Sequence, residues 1–347
     1  MIIFGAWSCV VMAIPAELPI NVPGIGNTTW FLTNAAGTDT GEAFTGNCDF
    51  SAGMGILDAT SANGDTNAND NAYSVFVEGK IFVAPGTIDL EDTTLTAGPV
   101  LIDGIDVSLE YFFPGSLQAG RLRAILRNPD LVLERVVTVE MPVNLGSGVL
   151  TKIEATSSGN EVIDRDDRWV VTSNGFEDNA LITPEPVVTS VLFGTGEPES
   201  RPTTVTSSVF NCFGNEGIGA RFVVTIPPNT SRSLMFFTGL GDIEGLENTV
   251  DGAIQNANQF NDNDTIDEAL LDGLTSTELV DTLNWDFSAD TGGSSIGNTG
   301  SSSSGWGLGC SIGDSKGVMD PFLLFMAGAA GLYLLRRQRL PAKKPDA

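Results

Sequence analysis

The stretch "VLIDGIDVSLEYFF", residues 100–113, decides the fold. Apolar residues alternate on both sides of Asp103-Gly104, the dipeptide favoured in a type I′ turn between two antiparallel strands. A hairpin is therefore predicted here, and its neighbours read the same way. "YSVFVEGKIFVA" (73–84) alternates and breaks at Gly79-Lys80, a second hairpin. "RLRAILRNPDLVLERVVTVEMPV" (121–143) turns at Asn128-Pro129-Asp130. Further strands are expected at 149–155, 168–172, 187–193, 203–212 and 221–226, and "SLMFFTGL" (233–240) closes the series. Strands at this spacing, rich in Val, Thr and Phe, predict a mainly β chain built as a large antiparallel β-sandwich. No internal repeat points to a solenoid or propeller.

After Gly239 the pattern changes. Thr265-Ile266-Asp267-Glu268 and Thr275-Ser276-Thr277-Glu278 each fit a capping box and are followed by leucines, so a few short helices are expected on or beside the sandwich. "SADTGGSSIGNTGSSSSGWGLG" (288–309) has the composition of a flexible spacer, about 25 Å in reach. The expected body is thus 17–287, with a linker at 288–309 and a separate tail at 310–347.

The chain has 347 residues, with 44 acidic against 17 basic, a net charge of −27. The charge is segregated. Lys316, Arg336, Arg337, Arg339, Lys343 and Lys344 follow Cys310, where the only acids are Asp314, Asp320 and Asp346. The body is therefore more acidic than the whole, which disfavours nucleic acid and anionic lipid as partners and suits a solvated extracellular surface. There is no histidine, which excludes a Ser-His-Asp triad, a Cys-His dyad and a His-ligated zinc. Four cysteines without CxxC spacing exclude a structural zinc site as well.

Both ends bear on location. Ile2 to Ile14 is an apolar run of signal-peptide length, with small residues around a cleavage point after Ala16, although no Lys or Arg precedes Lys80. An export signal at 1–16 is expected; the competing reading is a buried N-terminal strand or helix. At the other end, Pro321 to Leu335 is nearly all apolar and Arg336, Arg337 and Arg339 follow at once. A hydrophobic helix over about 318–335 is expected, its basic end in the cytoplasm and everything before it outside. An ordinary single-pass anchor would look much the same.

The order Gly309-Cys310, a polar spacer, Asp320-Pro321, an apolar segment and an arginine cluster resembles a bacterial C-terminal sorting signal, most closely the JDVT-CTERM class. The resemblance covers about the last 40 residues. It implies recognition and cutting by a dedicated intramembrane sorting protease, with Cys310 as the processing or attachment residue. A thiol suits covalent linkage. The stretch from "LVLERVVTVE" to "DRDDRWVVTSNG" resembles a secreted β-supersandwich of mutarotase-like type over roughly residues 100–240. That resemblance implies a fold and no catalytic residues.

Three constellations are candidate sites. "NGDTNANDNAY" places Asp65, Asn67, Asn69 and Asp70 at alternating spacing, as oxygen ligands of Ca²⁺ would be. It is not an EF-hand, because Asp70 stands where that loop needs Gly and Phe76 where it needs Glu, and an acidic loop without metal competes. "FNDNDTID" (260–267) is a weaker version at a helix start. "DRDDRW" joins Asp164, Asp166 and Asp167 to Trp169, residues able to contact a glycan, against the alternative of an ion-paired turn opening a strand. Cys48 and Cys212 would form a disulfide in an oxidising compartment.

Together these features predict a non-enzymatic, exported, envelope-anchored protein. The alternative is a surface-tethered carbohydrate-binding or carbohydrate-active module. No cofactor is expected other than the candidate Ca²⁺.

Overall fold

The computed structural model describes residues 14–35, 53–174, 176–177, 180–181, 185–207, 217–241 and 249–287. The chain is mainly β, with large antiparallel sheets and three short α-helices among the described residues. A nine-stranded sheet runs, in spatial order, through Ile14–Ala16, Ile88–Glu91, Thr94–Ile102, Ile105–Phe112, Ala119–Arg127, Ser231–Leu240, Val188–Val191, Trp169–Ser173 and Lys152–Thr156. A five-stranded sheet holds Thr204–Thr206, Gly217–Ile226, Arg135–Asn144, Phe76–Val77 and Lys80–Ile81. A three-stranded sheet holds Ile20–Pro23, Thr29–Ala35 and Gly53–Thr60, and a two-stranded one pairs Phe176–Glu177 with Ala180–Leu181.

The opening hairpin forms as expected. Ile102 pairs with Ile105 across Asp103 (φ 49°) and Gly104 (φ 84°), the left-handed pair a type I′ turn requires. The hairpin at 76–81 turns one residue earlier than expected, at Glu78 (φ 50°) and Gly79 (φ 70°). At Asn128-Pro129-Asp130 the chain does not fold back on itself but crosses between sheets. Arg127 pairs with Ser231 in one sheet and Arg135 with Ile226 in the other. The fully buried Asn128 fastens this crossing, its Nδ2 donating to the carbonyls of Leu133 (2.8 Å) and Ile226 (3.0 Å).

Ser231–Leu240 explains why "SLMFFTGL" reads as a continuous apolar run. It lies inside the nine-stranded sheet and is covered on both faces. Leu234, Phe236 and Leu240 face the main core, with Leu122, Leu126, Val139, Met141 and Phe222. Met235 and Phe237 face a second core formed by the helical segment, with Ala253, Ala257, Phe260, Leu270 and Trp285.

The longest of the helices, Val250–Ala257, is capped by Thr249, whose hydroxyl accepts the Gly252 N–H at 3.1 Å. The capping box at Thr275 is formed in both directions. The one expected at Thr265 is not: its hydroxyl donates to the Gln259 carbonyl, and Asp267 caps Glu268–Leu271 instead, accepting the Ala269 N–H at 2.9 Å.

Ile14–Ala16, just before the expected cleavage point, pairs with Ile88–Leu90 at the sheet margin. Residues 1–13, the linker and the expected C-terminal helix lie outside the described residues, as do Cys48, Cys212, Cys310, Asp320, Pro321, Arg336, Arg337 and Arg339. Among the described residues no helix is long and apolar enough to cross a membrane.

Candidate functional site

The loop that carries the expected Ca²⁺ ligands is organised by a neighbour. The Asp58 carboxylate, on the strand Gly53–Thr60, accepts the Ala59 N–H at 2.7 Å. Burial raises its pKa, while main-chain N–H groups of Ala59, Ala68, Asn67 and Asn69 pull it back. Asp65 is tied to Ser61, whose Oγ accepts its N–H at 3.2 Å. Asn67 takes a left-handed φ of 68° and its Nδ2 donates to the Gly146 carbonyl and the Glu185 carboxylate, each at 3.1 Å. Asn69 is buried. Asp70 pairs its main chain with Asn144, and its carboxyl pKa is raised by burial and then by the charges of Asp58 and Glu185. Among the described residues no group of three His, Cys, Asp or Glu side chains is placed to hold a metal ion.

The "DRDDRW" loop is built on main-chain donors rather than on ion pairs. Asp167 is fully buried; its Oδ1 accepts the Ser158 N–H and its Oδ2 the Asp164 N–H, both at 2.9 Å. Asp164 in turn accepts the Asp166 N–H at 2.8 Å. Trp169 is 3% exposed, packed in the second core, and its Nε1 donates to Asn261 Oδ1 at 3.0 Å. No face of this indole is open to a sugar ring. Asn261 accepts a second bond, from an Arg168 Nη at 2.7 Å. Asn263 is also a fastener, accepting the Thr195 N–H and donating to the Asp286 carbonyl. The asparagines of "FNDNDTID" thus hold the helical segment to the sheet.

The densest charge cluster escaped sequence reasoning. Arg121 and Arg123 sit on Ala119–Arg127, on the face opposite Leu122 and Ala124, beneath the helices. Their side chains are 2% and 4% exposed. Glu110 on the adjacent strand bridges both, at 3.1 and 3.3 Å, and Arg123 also meets Glu278 at 2.9 Å. Arg121 donates to the carbonyls of Leu270 (2.6 Å) and Asp272 (3.1 Å) and lies 4.6 Å above the Phe112 ring. In the sequence the arginines of "RLRAILR" alternate as a solvated face does. The one signal of the cluster was the capping-box Glu278.

Burial alone would raise the Glu278 pKa, but the Thr275 N–H, the Thr275 hydroxyl and Arg123 outweigh it and bring the pKa down to about 2 from the usual 4.5. The folded state binds this proton less tightly than the unfolded chain. The stabilisation is therefore complete above about pH 4.5 and is lost as the pH falls from there through about 2. Melting temperature measured against pH should fall over that window in the native protein and fall less in Glu278→Gln. Equal slopes would mean that Glu278 contributes nothing to acid stability.

No family model matches the chain, and no curated protein does. Among solved structures it is similar to a protein described as a kojibiose phosphorylase from the human microbiome. That match has a TM-score of 0.36 and 9% identity, covering 77% of this chain and 30% of the other. It is also similar to a galactose mutarotase related enzyme from Lactobacillus acidophilus, with TM-score 0.27 and 8% identity, covering 66% of this chain and 97% of that one. The chain spans about 30% of the length of the first of these. The sandwich is read from its own strand pairing.

Proposed function

We propose that this is an exported protein held at the cell envelope by its C-terminal segment, with a β-sandwich body in a structural or binding role and a tail processed at Cys310. The observation that carries the reading is the order of Cys310, Asp320-Pro321, an apolar segment and Arg336, Arg337 and Arg339. A plain anchor needs only apolar length and flanking charge, so a cysteine and an acid at fixed places before the helix would be idle in it. The partners are then an intramembrane sorting protease and the cytoplasmic membrane. Of the three motif carboxylates, Asp164 and Asp166 are exposed and Asp167 is not placed for proton transfer. A general acid or base must exchange a proton with a substrate, whereas Asp167 is fully buried and engaged with main-chain N–H groups.

Intact-mass measurement on protein from the native host tests this. The mature species should lack the residues after about Cys310, and Cys310→Ala should leave the full-length precursor in the membrane. A mature mass that still includes Arg336 through Ala347 would overturn the sorting reading.

A further inference from the structure

Most cations of the body have an acid beside them. Lys80, Arg121, Arg123, Arg127, Lys152, Arg221 and Arg232 each stand within 4.0 Å of a carboxylate. Arg135 donates to the Asp103 carbonyl. Arg165, Arg168 and Arg201 have no such carboxylate among the described residues, although the chain carries 44 acids.

Arg168 and Arg201 are gathered in one place. The Arg168 carbonyl accepts the Leu192 N–H at 2.7 Å, which sets its main chain against the end of Val188–Val191. Its guanidinium is held by Asn261 Oδ1 at 2.7 Å. Two residues further on, Asn263 Oδ1 accepts the Thr195 N–H at 3.2 Å. The next carbonyl, that of Gly196, accepts the Arg201 guanidinium at 2.6 Å. Both guanidinium groups are therefore moored to one short piece of surface, where Asn261–Asn263 meets Thr195–Gly196. Arg165 is exposed on the same loop as Arg168. The Arg168 Nε is buried without an acceptor. Burial, then the neighbouring Arg201 charge, lowers the Arg168 pKa, with Asp167 acting in the opposite sense.

Holding like charges together with no carboxylate in direct contact is unfavourable, and one oxyanion shared by two guanidinium forks relieves it through charge-assisted hydrogen bonds. The surroundings restrict what that oxyanion can belong to. Glu197 and Asp286 flank the site, bonded to each other through the Glu197 N–H, and the net charge is −27. Such a field repels polyanions. We propose that Arg168 and Arg201 form a binding site for a single carboxylate or sulfate group on an otherwise neutral small molecule.

The test is titration of the full-length protein, at low ionic strength, with galacturonate, methyl sulfate and, as the neutral control, galactose. Binding of either anion, without binding of galactose, is the expected result, and which anion binds separates carboxylate from sulfate. Arg201→Gln should weaken the binding at least about tenfold while leaving the melting temperature of the free protein unchanged, because Arg201 is exposed. Arg168→Gln should do the same; if it fails to fold, Arg201→Gln decides. The site is refuted if neither anion binds, or if binding survives Arg201→Gln unchanged.

Discussion

Glu110→Gln is expected to destabilise the body by about 3–5 kcal/mol, because removing one partner of a buried ion pair leaves the other charge uncompensated. Here it leaves two. Arg121 and Arg123 share the Glu110 carboxylate under the helices, and only Arg123 has a second carboxylate, from Glu278. Arg121 keeps its bonds to the Leu270 and Asp272 carbonyls, which satisfy donors but do not neutralise charge. Urea unfolding should show a lower midpoint with an unchanged slope. Adding Arg121→Met and Arg123→Met to Glu110→Leu should recover part of the loss, since an apolar replacement of a buried triad removes the desolvation cost together with the pairing. A loss below about 1 kcal/mol for Glu110→Gln, the range of an exposed pair, would mean that water reaches the cluster and screens it.

Trp285→Ala should cost a similar amount, about 3–5 kcal/mol for a large aromatic removed from a core. Trp285 is 3% exposed and fastens the helical layer to the sheet. Its ring meets Phe237 edge-on at 5.2 Å and stacks on Phe287 at 5.7 Å, while its Nε1 donates to the Met235 carbonyl at 2.8 Å. The space it occupies is shaped by Gly194: a Cβ there would come within 2.4 Å of the indole. Amide exchange should speed up first in residues 250–287 and leave the pairing of Arg135–Asn144 with Gly217–Ile226 protected. Uniform loss of protection would show instead that the helices and the sandwich unfold as one unit.

The sequence made some of this legible because local chemistry and global fold agree there. Asp103-Gly104 turns where a type I′ turn is needed, and Thr275 with Glu278 closes a capping box. Elsewhere tertiary context overrode the local signal. Ile20–Pro23, Thr29–Ala35 and Gly53–Thr60 were not expected as strands: "GMGILDAT" has no alternation, since its first four residues are all buried. Val250–Ala257 was missed because "VDGAIQNA" contains a glycine and no leucine, so its helicity depends on packing Ala253 and Ala257 against the sheet. The candidate sites suffered similarly. Aspartates and asparagines that resemble ligands in a sequence also bind main-chain N–H groups in tight loops. Only the neighbours brought in by the fold reveal that Asp167 does the second.

The position of Ser231–Leu240 in the middle of the nine-stranded sheet has a kinetic consequence. Residues 88–127 form a run of successive hairpins from contacts close in sequence. The last of those strands, Ala119–Arg127, takes its other partner from residues 231–239, near the end of the body. The first half of the sheet must therefore wait with an open edge until almost all of the body has been made, and the Arg135–Asn144 strand waits likewise for Gly217–Ile226. Such long-range closure belongs to slow-folding topologies. A chain halted before Ser231 keeps unpaired strand edges, the surface on which partly folded chains associate.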